Sequence, residues 1–154
     1  MSGGIREDRE LRLWLAVRVD LGMSVGKIAA QAMHAAFGLH DYLIDRKPEV
    51  LRAYEDGAHT KICVKVNSLA DLERVEREAE IANIPCHVVS DAGRSEIDPG
   101  TKTVCLFGPA YRDELPPFLR RLQVMKGESL EGSGRTLADA TPKALRTSDG
   151  GKDA

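Results

Sequence analysis

Leu13 to Val17 reads LWLAV, an uninterrupted apolar run that fits a strand covered on both faces of a sheet. A turn-like stretch, Asp20-Leu21-Gly22-Met23-Ser24, follows, and Ser24 can cap a helix. A helical period then runs to about Asp45, with Val25, Ile28, Ala32, Ala35, Ala36, Leu39 and Leu43 on one stripe. Pro48 can open a short second helix and Gly57 can close it. Lys61–Val66 (KICVKV) predicts a second strand. Ser68 and Asp71 form a capping-box variant before a helix with Leu69, Leu72, Val75, Ala79 and Ala82 on one face. Pro85 ends that helix, Cys86–Val89 predicts a third strand and Thr103–Phe107 a fourth. Asp113 is read as the cap of a last helix, with Pro116 and Pro117 in or near its first turn. Helices in the first two crossovers imply parallel strands, and the short connection before the fourth strand permits an antiparallel pair. The expected fold is α/β: a four-stranded mixed sheet with helices on both faces.

On the first long helix Lys27, Gln31 and His34 fall within about 60° of one another, and Gly38 and Asp41 continue that stripe. With the apolar stripe on the sheet, this polar one should face outward. It begins at the helix N-terminus, where free N–H groups and Lys27 would favour a phosphate or a developing oxyanion. On pattern alone an ordinary solvated helix face is the simpler account, because polar outer faces are the rule. Between the third and fourth strands lies SDAGRSEIDPGT, rich in Gly, Pro, Asp and Ser. Asp91 sits just after a strand, at the end where open α/β sheets place ligands. The first helix also starts after a strand, so Asp91 can meet Lys27 or His34 there. Arg94 can grip a phosphate or carboxylate in two prongs, and the Thr101 and Thr103 hydroxyls can position substrate or water. An ordered turn with surface ion pairs accounts for the loop's spacing as well as a site does.

The chain has 154 residues and a formal charge of −2. Residues 1–10 and 127–154 are polar and are read as a disordered N-terminal segment and a flexible C-terminal tail, leaving one folded domain at 11–126. That domain carries 16 Lys plus Arg against 16 Asp plus Glu, so any nucleic-acid contact must come from a local basic patch. Three cysteines, Cys63, Cys86 and Cys105, lie in the strand runs; an odd count at buried positions points to reduced thiols and a cytoplasmic home. No apolar run is long enough to span a membrane, and the first residues lack a secretory segment.

Familiar motifs fail. Gly22 to Ile28 is one residue short of a phosphate loop, and Ile28 stands where its hydroxyl would be. No His or Cys spacing fits a metal, and the serine nucleophile elbow is absent.

Two segments together are more specific. Gly26-Lys27-Ile28-Ala29-Ala30-Gln31 with His34-Ala35-Ala36, and Asp91-Ala92-Gly93-Arg94 with Pro99-Gly100-Thr101-Lys102-Thr103-Val104, resemble the type 2 peptidyl-tRNA hydrolase family. Val17-Arg18-Val19-Asp20-Leu21 and Gly108-Pro109-Ala110 match it too, so the similarity runs from about Leu13 to Met125. The resemblance implies hydrolysis of the ester joining a peptide to the 3′ end of tRNA, with peptidyl-tRNA as partner, a homodimer, and no metal or organic cofactor. It implies Lys27, Asp91 and Thr101 as catalytic, with Gln31 and His34 beside them. Gly93, Arg94, Lys102 and Thr103 are read as substrate-binding. The chain departs from the family at Val25, where a second basic residue is frequent, and at Ser95-Glu96, where Thr-Gln is common. Two other readings are a catalytically inactive tRNA- or protein-binding module, which predicts binding without release, and a different small hydrolase on the same scaffold.

Overall fold

In the computed structural model, described for residues 9–94 and 96–127, the chain forms one mixed sheet between two helical layers. The elements in order are β1 (Arg12–Arg18), α1 (Val25–Arg46), α2 (Pro48–Glu55), β2 (Thr60–Val66), α3 (Leu69–Ile81), β3 (Cys86–Ser90), β4 (Lys102–Ala110) and α4 (Pro117–Arg120). The sheet order is β2-β1-β4-β3. β1 and β2 are parallel, from Arg12 opposite Thr60 to Arg18 opposite Val66. β4 runs antiparallel to both β1 and β3, so β1, β2 and β3 all end at the same edge. The expected fold class holds.

Strand alternation feeds two cores. Leu13, Leu15 and Val17 point to α1 and α2, where they meet Leu39, Leu43 and Tyr54. Trp14 and Ala16 point to α3 and α4, where they meet Leu72, Val75 and Leu119. Trp14 stacks on Phe107 across the β1–β4 pair, with ring centroids 5.6 Å apart. The central strands β1 and β4 are buried beyond their first residues. β2 is an edge strand with a face left partly uncovered, so Cys63 is exposed rather than buried; Cys86 is half-buried and Cys105 buried. All three are free thiols.

Local rules set most of the boundaries. Ser24 caps α1 by accepting the Lys27 N–H at 3.1 Å, and Ser68 caps α3 by accepting the Asp71 N–H at 3.0 Å. Ser24→Ala is expected to lower stability by about 1 kcal/mol, read as a lower midpoint in urea unfolding. Pro48 opens α2 as expected. The last helix differs. Asp113 lies in a 3-10 turn, Arg112–Glu114, and α4 starts only at Pro117. A proline disfavours helical geometry in the residue before it, so Leu115 and Pro116 stay extended and Pro117 takes the first helical position. β4 also runs beyond Phe107, through Pro109. β3 has no partner for it past Cys86, and β1 shifts register between Arg12 and Trp14, a place where a proline without an N–H is tolerated. Arg9 and Glu10, read as part of the N-terminal segment, are tied down. Arg9 lies over the Tyr111 ring and beside Asp113 and Glu114, and Glu10 accepts a hydrogen bond from Thr60. The rest of both terminal segments lies outside the described residues.

The phase of α1 also differs from the simple stripe. Gln31, Ala35, Leu39 and Leu43 form the buried line, whereas Val25 is 55% exposed. Gln31, expected to face outward, is buried because Thr103 on β4 supplies a partner for its amide. Gly38, expected on the polar stripe, seats the His87 ring of β3; a Cβ there would lie 2.2 Å from His87 Nε2.

Candidate active site

β1 and β3 end at the same edge, so the start of α1 and the loop after β3 are brought together. There the Lys27 ammonium donates to Asp91 Oδ1 in a short ion pair. Both side chains are nearly buried, 12% exposed for Lys27 and 3% for Asp91. The other Asp91 oxygen accepts the Gly93 N–H at 2.8 Å. The backbone of Asp91 is fixed as well: its N–H donates to Thr101 O and its carbonyl accepts from Gly100, both at 2.8 Å. Ile97 is buried among the α1-side apolar residues and anchors the middle of the loop.

Gly93 is required where it stands. Its φ of +77° is a left-handed conformation, and a Cβ would lie 2.3 Å from the Pro99 ring. Thr103 owes its place to a β-bulge. The β3–β4 register shifts between Val89 and Ser90, so Thr103 and Val104, consecutive residues, both face α1. Thr103 then donates to Gln31 Oε1, with Val89 O a second acceptor 3.3 Å away. With its oxygen held, Gln31 has its amide N–H₂ left as the donor end.

Lys27, Gln31, His34, Asp91 and Arg94 line one cavity of about 420 Å³, together with Ala30, His87 and Ser90 among others. Gly93, Thr101 and Thr103 stand behind this wall and hold it rather than line it. Lys102 is elsewhere: its ammonium lies 3.6 Å from Glu73 and 3.9 Å from Glu76 on α3, across the sheet. His87 and Ser90 were not legible as site residues; the one sequence signal for His87 is the glycine at 38, which only the packing turns into a seat for it.

The N-terminus of α1 is already occupied. Glu96 accepts from Ser24 Oγ at 2.8 Å and from Ser24 N–H at 3.3 Å, which places a carboxylate on the positive end of the helix dipole. The Glu96 departure therefore sits in a capping role. Ser95 lies outside the described residues.

The Lys27 ammonium bonded to it holds the Asp91 carboxyl below its ordinary value; burial opposes this, and the Gly93 N–H assists. Asp91 thus stays ionised at neutral pH. Its folded value is depressed, so its contribution to stability is present above the ordinary carboxylate range and lost as pH falls through the folded value. Lys27→Met removes the largest cause, so the Asp91 titration midpoint is expected to rise, read from its side-chain carboxyl carbon shift by NMR.

Residues 11–125 match the family described as peptidyl-tRNA hydrolase PTH2. The chain belongs to this family. Among PTH2 relatives, a peptidyl-tRNA hydrolase of Halobacterium salinarum is 42% identical over 96 residues, covering 62% of this chain and 83% of the relative. A probable peptidyl-tRNA hydrolase 2 of Drosophila melanogaster is 40% identical over 123 residues, 80% of this chain and 65% of the relative. The mitochondrial peptidyl-tRNA hydrolase 2 of Bos taurus is 36% identical over 107 residues, 70% of this chain and 60% of the relative. The PTH2 match spans every residue of the cavity described above. Among the described residues no helix is long and apolar enough to cross a membrane.

Proposed function

We propose that this chain hydrolyses the ester between a peptide and the 3′ end of tRNA, with Lys27 and Asp91 at the reacting centre. The observation that carries this is the nearly buried ammonium–carboxylate pair at one wall of an open cavity, in a chain of the peptidyl-tRNA hydrolase family. Water attacks the ester carbonyl carbon, the bond to the ribose oxygen breaks, and free peptide carboxylate and tRNA hydroxyl result. Lys27 retains N–H groups beyond the one bound by Asp91, and these stabilise the negative charge growing on the carbonyl oxygen. A carboxylate with a depressed pKa is a weak base, so Asp91 acts chiefly by fixing Lys27 and accepting a hydrogen bond from the attacking water. His34, on the cavity wall, offers an imidazole nitrogen for the proton. Gln31, oriented by Thr103, donates to the substrate. Arg94 grips the terminal ribose–phosphate in this reading, while Thr101 supports Asp91 through its backbone.

The test is incubation of purified protein with N-acetyl-aminoacyl-tRNA and with free aminoacyl-tRNA, measuring tRNA release. Release from the blocked substrate alone is expected. Salt-sensitive tRNA binding with no release would instead indicate a binding module. A homodimer and a cytoplasmic, reducing setting belong to the same proposal. The family resemblance supports the first and the three free thiols the second; sedimentation and fractionation test them.

A further inference from the structure

We infer that the free edge of β3 binds the peptide arm of the substrate as an added strand, parallel to β3, through the outward main-chain groups of Val88 and Ser90. This rests on the hydrolase reading of the cavity and extends it to the substrate's second arm.

The two edges of the sheet differ. The β2 edge is covered by the chain itself: Lys65 N–H donates to Gln123 O and Met125 N–H to Cys63 O, both at 2.9 Å, and Val64 and Val124 form an antiparallel bridge. β3 is the other edge, bonded to β4 alone. Natural edges are blunted by lysine, proline or a cover; β3, Cys86-His87-Val88-Val89-Ser90, carries neither residue. Hydrogen-bonded and non-bonded pairs alternate along an antiparallel ladder. Pro85 O accepts from Gly108 N–H at 2.8 Å, so His87 and Val89 turn their main chain to β4 and Val88 turns its own outward. Beyond the bulge Asp91 N–H bonds to Thr101 O, so Ser90 faces outward as well. Among the described residues no main-chain group pairs with these outward groups.

Val88 and Ser90 both line the cavity, as do Lys27 and Asp91, so the edge is continuous with the reacting pair. The peptide's carboxyl end is the ester, held where β3 ends, so a peptide lying along the edge runs parallel to the strand. Outward N–H and C=O groups at alternate residues match the amides of an extended chain, and a strand added there meets both. The RNA arm offers no such repeat of donors and acceptors. Main-chain pairing selects length and extension rather than side chains, which suits a hydrolase meeting peptides of many sequences. Val88 lies three residues before Asp91, about 10 Å of strand, so a single aminoacyl group does not reach it and a tetrapeptide does. A second copy of the chain paired here would cover the cavity wall. Met33 and Phe37, 60% and 73% exposed on α1 and off that wall, leave a homodimer another surface.

The experiment compares kcat/KM for N-acetyl-aminoacyl-tRNA with that for acetyl-tetrapeptidyl-tRNAs, one unmodified and three N-methylated singly at the second, third or fourth residue from the ester. The unaltered protein is expected to favour the unmodified tetrapeptide. Successive N–H groups of a strand point to opposite sides. Methylation should therefore cost about tenfold, through KM, either at the second and fourth residues or at the third, but not at all three. Val88→Pro removes one outward N–H at an edge position that tolerates proline. It should lower the ratio of tetrapeptide to single residue several-fold, with the melting temperature held. A ratio near one in the unaltered protein overturns the inference. So does a loss at all three methylated positions or at none, since neither has the alternation of a paired strand. An equal fall on both substrates in Val88→Pro overturns it too, and assigns the edge to a second copy of the chain if the gel-filtration size changes. No release of either substrate by the unaltered protein sinks the hydrolase reading itself, and this inference with it.

Discussion

Lys27→Ala is expected to lower kcat/KM on N-acetyl-aminoacyl-tRNA by about 10²–10³, the usual loss when a positioned donor to a developing oxyanion is removed. Lys27 is nearly buried and bonded to Asp91, so its ammonium is held at the cavity wall with little freedom to reorganise during reaction. Asp91→Ala should lose a comparable amount, because it releases the ammonium and removes an acceptor for water. The double variant should be little worse than either single one, since each change disables the same unit. Additive losses would mean that the two groups act independently. Turnover unchanged in Lys27→Ala would remove this pair from the mechanism.

The second large effect is on stability. Phe107→Ala is expected to cost about 3–5 kcal/mol, seen as a fall of roughly 10–20 °C in melting temperature for a domain of this size. Phe107 is wholly buried, stacks on Trp14, and belongs to the α3-side core with Leu72, Val75 and Leu119. Phe37→Ala, the same change on the outer face of α1, should shift the melting temperature little. A similar loss at both positions would mean that burial is not what sets the cost.

The two phenylalanines show where sequence reading stops. Both sit in apolar stretches, and local pattern gives each a place on its element. Whether a neighbouring layer covers that place is decided elsewhere in the chain. The same holds at the site. Lys27 at the start of α1 and Asp91 after β3 were each legible, and parallel crossovers already implied one shared edge. The motif resemblance joined them before any geometry did. Thr103 was legible as a hydroxyl near the loop, but its approach to Gln31 depends on a bulge that turns two consecutive side chains to one face. Lys102, one residue earlier, carries its charge to α3 on the opposite face. A period-two pattern has no term for a bulge. Nor could it assign Glu96 to Ser24, 72 residues away in the chain.

By itself the sequence determined the element order, the caps at Ser24 and Ser68, the proline boundaries, the mixed four-stranded sheet and the two motif segments. These rest on local hydrogen bonding, on φ restriction and on which face of each element is apolar, all properties of neighbours along the chain. Tertiary structure alone decided the burial of Gln31, the seat of His87 on Gly38, the occupied N-terminus of α1 and the exposed stripe at Met33 and Phe37. Each of these depends on the approach of segments far apart in sequence, and a polar or apolar side chain acquires its energetic meaning only from the partner or the solvent that the approach leaves beside it.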